Sequence, residues 1–351
     1  MSDRMLSADV LAEVGAVVDE CFHDVAERIG AIEGFDTVWA QARRGAQGGK
    51  MLRPRLVLAA HRAFADEPSD DAIRAAAAVE LLHLAFLLHD DVIDRDLVRR
   101  GGPNLIALRR DAALADGADE ATALRYGQSC AILTGDLLLS AAHRLIAGLG
   151  ASAAPRGALP SILADAIDAA AVGEHADIRL GIRGEAGEAA ILRTMEHKTA
   201  RYSFSAPLRI GALLGGAPAA TVEALGFIGT TIGLAFQARD DVLGVFGDPR
   251  QTGKSVLSDL REGKLTLLIA HSRTHPAWRA VADLFGDPEL DERGAAEIRT
   301  AIECSGGLAR TEAVISSLVV EARASMLLTD LPARLRDDLE HLIVGATERR
   351  R

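Results

Sequence analysis

The stretch LLHLAFLLHDDVID, residues 81–94, decides the fold class of this chain. The apolar run 75–88, which begins with alanines, predicts a buried helix that leads directly into Asp90, Asp91 and Asp94. Residues four apart share one face of a helix, so Asp90 and Asp94 point the same way and Asp91 is turned aside. Like charges at this spacing destabilise a helix unless a cation lies between them.

A second acidic pair, Asp240-Asp241, lies between the apolar segments 232–236 and 242–246. One such pair alone is often a solvated helix face, but carboxylates in apolar surroundings need a partner. Mg²⁺ prefers a few carboxylates together with water and phosphate oxygens. Two helices that each carry an acidic cluster therefore predict a site where metal ions hold a diphosphate.

The rest of the chain favours helices over strands. Of its 351 residues 49% are hydrophobic, with Ala and Leu dominant, whereas aromatic residues make up only 4%. Apolar residues recur at helical spacing in most segments, which predicts helices over 186–201 and 219–245 among others, and no strand pair is predicted. We expect a loop over 112–121, a linker over 148–160, and an all-α single domain, 1–351, of about ten or more helices.

Charge and cysteine content narrow the class of protein. The formal net charge of −11 argues against nucleic-acid binding, since a phosphate backbone requires a basic surface. The three cysteines, Cys21, Cys130 and Cys304, show neither zinc spacing nor a disulfide framework. The N-terminus lacks the apolar run of a signal peptide, and the run 75–88 is too short to cross a bilayer. A cytoplasmic protein without a transmembrane segment is expected.

Several basic residues stand beside glycines or beside the acidic clusters. Arginine binds phosphate bidentately and lysine binds it as a point charge, and a preceding glycine lets the backbone approach the anion closely. Each of these residues alone is more often an ordinary surface charge, but together with two acidic clusters they predict anion binding. They are Lys50, Arg53, Arg99, Arg100, Lys198, Lys254 and Lys264.

In the order and spacing of its motifs, the chain from about residue 45 to 270 resembles the trans-isoprenyl diphosphate synthase (polyprenyl synthetase) family. The matching segments are GGKMLRP (48–54), LHDDVID (88–94), RRG (99–101), GD (135–136), GEHAD (173–177), KT (198–199), FQARDD (236–241), GK (253–254), Asp259 and GK (263–264). The resemblance implies an all-α fold around a deep central cavity, a homodimer, and three Mg²⁺ ions, or Mn²⁺ in their place.

The resemblance also implies roles for individual residues. Asp90 and Asp94 would hold two of the ions and Asp240 the third, with Asp91 and Asp241 as secondary ligands. The cations for the allylic diphosphate would be Arg99, Lys198, Lys254 and Lys264. The residues that bind isopentenyl diphosphate would be Gly49, Lys50, Arg53, His83 and Arg100.

The implied reaction joins isopentenyl diphosphate to an allylic diphosphate, namely dimethylallyl, geranyl or farnesyl diphosphate. The allylic diphosphate ionises, the double bond attacks the cation, and a proton is lost, while Thr199 and Gln237 would point oxygens at the developing cation. In the family, bulky side chains about one turn before the first aspartate stop chain growth. A small Ala85 with a bulky Phe86 favours geranylgeranyl diphosphate as product, with farnesyl diphosphate second.

Three residues depart from the family pattern. Gly244 stands where many members have the last aspartate of the second motif, Ile106 where many have a histidine, and Glu174 where many have glutamine. None of these departures removes a residue assigned to a metal ion or a diphosphate.

Three other interpretations stay open. A class I terpene cyclase shares an acidic Mg²⁺ site, but it would not need Gly49, Lys50 and Arg53, and no Asn/Ser/Glu metal triad follows Asp240. The Glu-x-x-His spacing at 20–23 and 80–83 is that of helical di-iron carboxylate proteins, which would leave the basic motifs unexplained. The third is a catalytically silent subunit of a heteromeric synthase, against which the intact motifs argue.

Overall fold

The computed structural model describes residues 8–30, 32–65, 67–150, 153–247 and 256–348. Within these ranges nearly all regular structure is helical, which confirms the all-α prediction. The α-helices, numbered α1 to α16 in chain order, are Ala8–Ile29, Phe35–Ala46, Leu52–Phe64, Asp70–Ile93, Leu105–Ala115, Glu120–Ala147, Ala153–Arg183, Glu188–Met195, Ala206–Leu214, Ala219–Phe246, Ser258–Arg261, Leu267–Ser272, Pro276–Arg279, Glu292–Cys304, Gly307–Leu328 and Ala333–Glu348. A π-helix, Glu196–Ser205, lies between α8 and α9, and a 3₁₀-helix, Ala282–Leu284, follows α13.

Contacts within the chain divide it into two compact units. The N-terminal unit comprises residues 2–161 with 210–216, and the C-terminal unit comprises residues 162–209 with 217–351. Each acidic cluster belongs to a different unit, so the two are described separately. The single domain over 1–351 stays a prediction.

Helix α4, Asp70–Ile93, is central to the N-terminal unit. Ser69 caps its start, because the Ser69 hydroxyl accepts a hydrogen bond from the Ala72 amide at 3.2 Å. The alanines at 75–78 are fully buried, and their small side chains let α3 and α6 pack closely against α4. This packing fixes the acidic C-terminal end of α4 within the unit.

Helix α10, Ala219–Phe246, has the corresponding place in the C-terminal unit and packs against the π-helix, α15 and α16. Arg239 donates hydrogen bonds to both carboxylate oxygens of Glu312 on α15, each at 2.6 Å. The Arg239 side chain is only 10% exposed. Because a bidentate pair defines both distance and orientation, it fixes the end of α10 that carries the second acidic cluster.

Two predicted connections prove to be mainly helical. The loop expected over 112–121 is wrong at both ends, since α5 continues to Ala115 and α6 begins at Glu120 behind the Asp119 cap. The linker expected over 148–160 is wrong beyond residue 152, since α7 begins at Ala153 and runs through Pro160. Full burial of Leu159 next to that proline shows that tertiary packing outweighs the lost backbone hydrogen bond.

A short hairpin is the exception to the helical fold. Strand β1, Val98–Arg99, pairs antiparallel with strand β2, Gly102–Pro103. Arg100 and Gly101 between them have φ angles of 54° and 77°, the two positive values typical of a type I′ turn. The expectation of no strand pair is therefore wrong here, because a tight turn and not strand propensity creates the pairing.

Three helices are long and apolar enough to cross a membrane, by length and composition alone: Asp70–Ile93, Glu120–Ala147 and Ala219–Phe246. Their most apolar windows are 67%, 50% and 50% buried within the protein. The helix that contains the run 75–88 is thus longer than the run itself. The absence of a transmembrane segment stays a prediction.

Candidate active-site clusters

The first acidic cluster lies at the C-terminal end of α4 in the N-terminal unit. Asp94 caps the helix, and its amide donates to the Asp90 carbonyl at 2.8 Å. A carboxylate oxygen of Asp90 lies within 4.8 Å of one of Asp94, in agreement with a shared helix face. Asp90 is half-buried and Asp94 is exposed. Two carboxylates at this separation suit a hard divalent cation.

Asp91, between these two residues, has a different partner. It is only 2% exposed, and its Oδ1 accepts a hydrogen bond from Arg99 Nε at 2.6 Å. Arg99 Nη2 contacts the same oxygen and lies 3.7 Å from Asp90 Oδ2. Burial raises the pKa of Asp91, although the hydrogen bond and charge of Arg99 oppose this shift. Asp91 therefore holds Arg99 beside Asp90 and is turned away from the face that Asp90 shares with Asp94.

The two arginines of the hairpin, Arg99 and Arg100, contact different groups. Arg99 faces Asp91, whereas Arg100 Nη1 donates to the Gln47 carbonyl at 2.8 Å. A Cβ built on Gly49 would lie 3.3 Å from Arg100 Nη2. These neighbouring residues thus lie in two different places: Arg99 lies at the first acidic cluster, and Arg100 lies at the glycine turn predicted to bind isopentenyl diphosphate.

A buried carboxylate, Glu80, lies among the residues predicted to bind isopentenyl diphosphate. Glu80 is 3% exposed, and its Oε1 lies 3.5 Å from a Cβ built on Gly49. Burial raises the Glu80 pKa, while the charges of Arg53 and Arg100 oppose this shift. Lys50 is exposed. The sequence did not assign Glu80 to this group, although an acid within an apolar helix signals a nearby cation.

His83 lies one turn after Glu80 and is half-buried. Burial, together with Arg53, Arg100 and Arg99, lowers the pKa of His83 well below its ordinary value, so the ring is neutral at neutral pH. The same arginines disfavour an iron cation beside this Glu-x-x-His pair. At the other such pair, the exposed ring of His23 lies 3.2 Å from Glu27 Oε1. Neither environment favours the di-iron interpretation.

The second acidic cluster lies near the C-terminal end of α10 in the C-terminal unit. Asp240 is half-buried, whereas Asp241 is 4% exposed. Asp241 Oδ1 accepts hydrogen bonds from Lys264 Nζ and Gln237 Nε2, both at 3.1 Å. The Asp241 carboxylate raises the pKa of Lys264 well above its ordinary value, so this lysine stays charged. Because the Gln237 nitrogen faces Asp241, its amide oxygen is directed elsewhere.

Lys198 lies in the π-helix between two carboxylates of α7. Its Nζ lies 3.0 Å from Glu174 Oε2 and 2.7 Å from Asp177 Oδ2. A Cβ on Gly173 would lie 2.1 Å from the Lys198 backbone nitrogen, so only glycine permits this approach. The sequence indicated an ordinary helix over 186–201. A π-helical turn re-aims side chains and is frequent at functional sites.

The remaining predicted residues lie in varied places. Thr199 follows Lys198 in the π-helix and is half-buried. Lys254 lies outside the described residues. On α4, Ala85 is fully buried and Phe86 is half-buried, so only Phe86 of this pair has accessible surface. Ile106 is 1% exposed and belongs to the core of its unit.

The chain is similar to known proteins over most of its length. A sequence profile for polyprenyl synthetase matches residues 40–303. A (2E,6E)-farnesyl diphosphate synthase from Mycobacterium tuberculosis is 35% identical over 307 residues, which cover 84% of this chain and 79% of the relative. A geranylfarnesyl diphosphate synthase from Aeropyrum pernix is 35% identical over 292 residues, which cover 82% of this chain and 85% of the relative.

A solved structure extends the similarity to the fold. It is geranylgeranyl pyrophosphate synthase from Corynebacterium glutamicum complexed with isoprenyl diphosphate and magnesium, with a TM-score of 0.87 and 29% identity. The superposition covers 97% of this chain and 98% of the other. The names of these three relatives give three different products, so similarity alone leaves the product of this chain unresolved.

Proposed function

Because this chain belongs to the polyprenyl synthetase family of short-chain trans-prenyl diphosphate synthases, we propose that it condenses isopentenyl diphosphate with an allylic diphosphate to form geranylgeranyl diphosphate. The observation that carries the proposal is the first acidic cluster. Asp90 and Asp94 offer oxygens within 4.8 Å of each other, and Arg99 is held beside Asp90. Paired carboxylates next to a fixed arginine suit a metal-bound diphosphate.

We assign the metal ligands to Asp90, Asp94 and Asp240. Their donor chemistry fits Mg²⁺, which takes carboxylate oxygens and keeps sites for water and phosphate. Bound Mg²⁺ would neutralise negative charge on the departing diphosphate. We further propose that three Mg²⁺ ions bind and that Mn²⁺ can replace them.

Fixed cations bind the allylic diphosphate in this proposal. Arg99 is oriented by Asp91, Lys198 by Glu174 and Asp177, and Lys264 by Asp241. We also assign Lys254 to this group. Side chains that are already oriented need no reorganisation as charge develops on the leaving oxygens, so they favour the transition state. Asp91 and Asp241 then act as positioning residues more than as metal ligands.

A second group of residues binds isopentenyl diphosphate. Gly49, Lys50, Arg53 and Arg100 supply a close backbone approach and three positive charges, and the neutral His83 ring can donate one hydrogen bond and accept another. Thr199 and the amide oxygen of Gln237 face the allylic cation in this proposal, and their partial negative charge stabilises it. The released diphosphate takes up the proton lost in the last step.

Product length depends on the side chains before Asp90. Phe86 is bulky and has accessible surface, so we assign it the role of ending chain growth, while the small Ala85 leaves room for a product of twenty carbons. Farnesyl diphosphate is the second candidate, because a relative with 35% identity carries that name.

Product analysis tests the proposal directly. The protein is incubated with isopentenyl diphosphate, Mg²⁺ and each of dimethylallyl, geranyl and farnesyl diphosphate, and the dephosphorylated products are separated by chromatography. We expect geranylgeraniol from all three primers. Consumption of the allylic primer alone, with release of a hydrocarbon, would indicate a terpene cyclase. No turnover without a second protein would indicate a silent subunit.

We also propose that the protein is a cytoplasmic homodimer. Its relatives are biosynthetic enzymes of the same family. Light scattering on the purified chain is expected to give twice the mass of one 37.0 kDa chain. A monomer with full activity would contradict the dimer.

A further inference from the structure

A pocket of about 310 Å³ lies where the end of α5 meets the start of α6 in the N-terminal unit. Helix α5 ends at Ala115 and α6 begins at Glu120, so the two helices form a hairpin at this point. Small apolar side chains and a few polar ones line the pocket, and they include Ala112, Ala113, Ala118, Arg109, Asp116 and Tyr126. This volume suits a small organic molecule, whose orientation is typically fixed by the polar groups of such a pocket.

Arg109 carries a buried positive charge in this pocket. The residue is only 8% exposed, and its buried Nε makes no hydrogen bond to any described residue. Among the residues that the structure describes, no carboxylate forms an ion pair with Arg109. The next residue, Arg110, differs in this respect, because its Nη2 lies 2.7 Å from Asp111 Oδ1. A buried charge without a counter-charge is costly, and arginine cannot relieve that cost by losing its proton. A bound anion would therefore stabilise Arg109.

The two acids between α5 and α6 do not neutralise Arg109. Asp119 caps α6, since its Oδ1 accepts a hydrogen bond from the Thr122 amide at 3.0 Å and its Oδ2 accepts one from the Thr122 hydroxyl at 2.8 Å. Asp116 lines the pocket, but it is exposed at the end of α5. Its negative charge disfavours a ligand with several negative charges. The pocket therefore suits an anion with one negative charge.

Tyr126 places a hydroxyl group next to Arg109. Its side chain is 42% exposed and forms hydrogen bonds with the side chains of Arg109 and Cys130. Burial raises the pKa of Tyr126, so the hydroxyl keeps its proton at neutral pH. Because sulfur is a weak hydrogen-bond acceptor, Cys130 competes poorly with an anionic oxygen for this proton. Arg109 and Tyr126 together thus offer donors to the same anion.

We propose that the pocket between α5 and α6 binds a small carboxylate with a short apolar chain. The carboxylate oxygens accept hydrogen bonds from the Arg109 guanidinium and the Tyr126 hydroxyl, as charge-assisted hydrogen bonds of this kind are strong. The apolar chain contacts the alanines of the pocket wall. The single negative charge of the ligand balances Arg109 and limits its repulsion by Asp116.

The pocket is separate from the first acidic cluster, which belongs to the same unit. Asp136 of α6 lies beside that cluster, because its Oδ1 is 3.4 Å from Nε2 of His89, the residue before Asp90. Tyr126 precedes Asp136 by ten residues, or about 15 Å along the helix axis. Arg109 and Tyr126 have no role in the proposed condensation, so this binding site goes beyond it.

Fluorine NMR of the protein labelled with 3-fluorotyrosine tests the proposal at a single residue. The chain has two tyrosines, Tyr126 and Tyr202, and Tyr126→Phe assigns their resonances. Butyrate is titrated in the absence of Mg²⁺ at constant ionic strength, with inorganic phosphate and chloride as comparison anions. We expect butyrate to shift the Tyr126 resonance to saturation and to leave the Tyr202 resonance in place. Phosphate and chloride are expected to bind more weakly than butyrate.

Three variants connect the shift to the pocket. Arg109→Gln removes the buried charge and should weaken butyrate binding about tenfold or more, since a hydrogen bond to a charged group contributes that much. Ala113→Leu fills the pocket but retains Arg109, and it should abolish the shift. Arg110→Gln changes the arginine that already has a carboxylate partner, so this matched control should bind like the wild type. Thermal unfolding verifies that each variant is folded.

Several results would overturn the proposal. If butyrate does not shift the Tyr126 resonance, or if folded Arg109→Gln binds butyrate as tightly as the wild type, the pocket is not a carboxylate site. If Arg109→Gln is unfolded, unchanged butyrate binding by folded Ala113→Leu has the same meaning. Tighter binding of phosphate than of butyrate would show that the class of ligand is wrong. A Tyr126 resonance that depends on protein concentration but not on butyrate would assign the pocket to a carboxylate of a second copy of the chain and exclude a free ligand.

Discussion

The two acidic clusters share one arrangement. In each, the second aspartate of the pair is buried and bound by a cation from a later turn: Arg99 binds Asp91, and Lys264 binds Asp241. In each, the first aspartate is only half-buried. The buried aspartate therefore orients a cation, and in our proposal its half-exposed neighbour binds the metal ion.

The clusters differ in whether their residues come from one continuous segment of the chain or from two. The first is complete within α4 and the adjoining hairpin, where Asp94 provides the last acid and the Arg99 guanidinium also lies 4.0 Å from Asp96. The second has a glycine at 244 and depends on the segment 256–264 for its lysine, Lys264. A cluster within one continuous segment can be predicted from the sequence. A cluster that combines two segments cannot, because its geometry depends on how the segments pack.

The largest expected effect comes from removing the half-exposed aspartates. Asp90→Asn and Asp240→Asn should each lower kcat on the order of 10²–10³-fold, because each change removes electrostatic stabilisation at the leaving group. Steady-state incorporation of labelled isopentenyl diphosphate measures the effect. Asp111→Asn, at a 57% exposed acid of α5, should retain the wild-type rate. A wild-type kcat in Asp90→Asn would refute the assignment of the first cluster.

The next effect is on the free energy of unfolding, and it compares Arg99 with Lys264, the two cations that bind the buried aspartates. Arg99→Met leaves Asp91 buried without its partner and should lower the free energy of unfolding by roughly 3 kcal/mol. Lys264→Met should have a smaller effect, because a lysine meets Asp241 through one ammonium group. Arg110→Met, whose partner Asp111 is exposed, should stay below about 1 kcal/mol. Urea unfolding measures all three, and equal losses for Arg99 and Arg110 would contradict the buried role of Asp91.

A third change separates product length from metal binding. Phe86→Ala should lengthen the product by one or more isoprene units, because it removes the bulky side chain before Asp90, and the Mg²⁺ requirement should not change. Ala85→Phe should shorten the product, although the full burial of Ala85 makes overpacking an additional cost. Phe227→Ala, at an exposed phenylalanine of α10, is the control. An unchanged product distribution in both α4 variants would rule out a role of residues 85 and 86 in ending chain growth.

The smallest expected effect concerns His83. Its folded pKa lies well below its ordinary value, so below about pH 6.5 the unfolded chain binds more protons than the folded protein. Stability should therefore fall as the pH drops through this range, by at most about 1.4 kcal/mol per pH unit from one histidine. His83→Gln should flatten this dependence between pH 7 and 5 in urea unfolding, and the exposed His143→Gln should not. The same slope in wild type and His83→Gln would show that His83 titrates normally.

Sequence patterns predicted most of what local spacing determines. The helix expected over 219–245 is observed as Ala219–Phe246, and the helix before the first cluster ends at Ile93. Helical spacing also indicated that Asp90 and Asp94 share a face and that Asp91 does not. These features follow from periodicity along one segment, which needs no knowledge of tertiary contacts.

Features that depend on contacts between distant segments were missed. The π-helix arises where α7 and α10 pack around residues 196–205, and no propensity scale contains that information. Glu80 is linked to its group only by the nearby charges of Arg53 and Arg100, and the close packing of Asp259 against Gly244 is visible only in the fold. The linker predicted over 148–160 was wrong beyond residue 152 for the same reason, because packing of Leu159 next to Pro160 overrides local preference.

The most direct test of the central claim is the dependence of the condensation on Mg²⁺. Isopentenyl diphosphate and farnesyl diphosphate are incubated with the protein in excess EDTA, and Mg²⁺ is then titrated back while geranylgeranyl diphosphate is quantified. We expect no product in EDTA, recovery with Mg²⁺, and no recovery in Asp90→Asn at the concentrations that restore the wild type. Full product formation in excess EDTA would contradict a metal-dependent condensation.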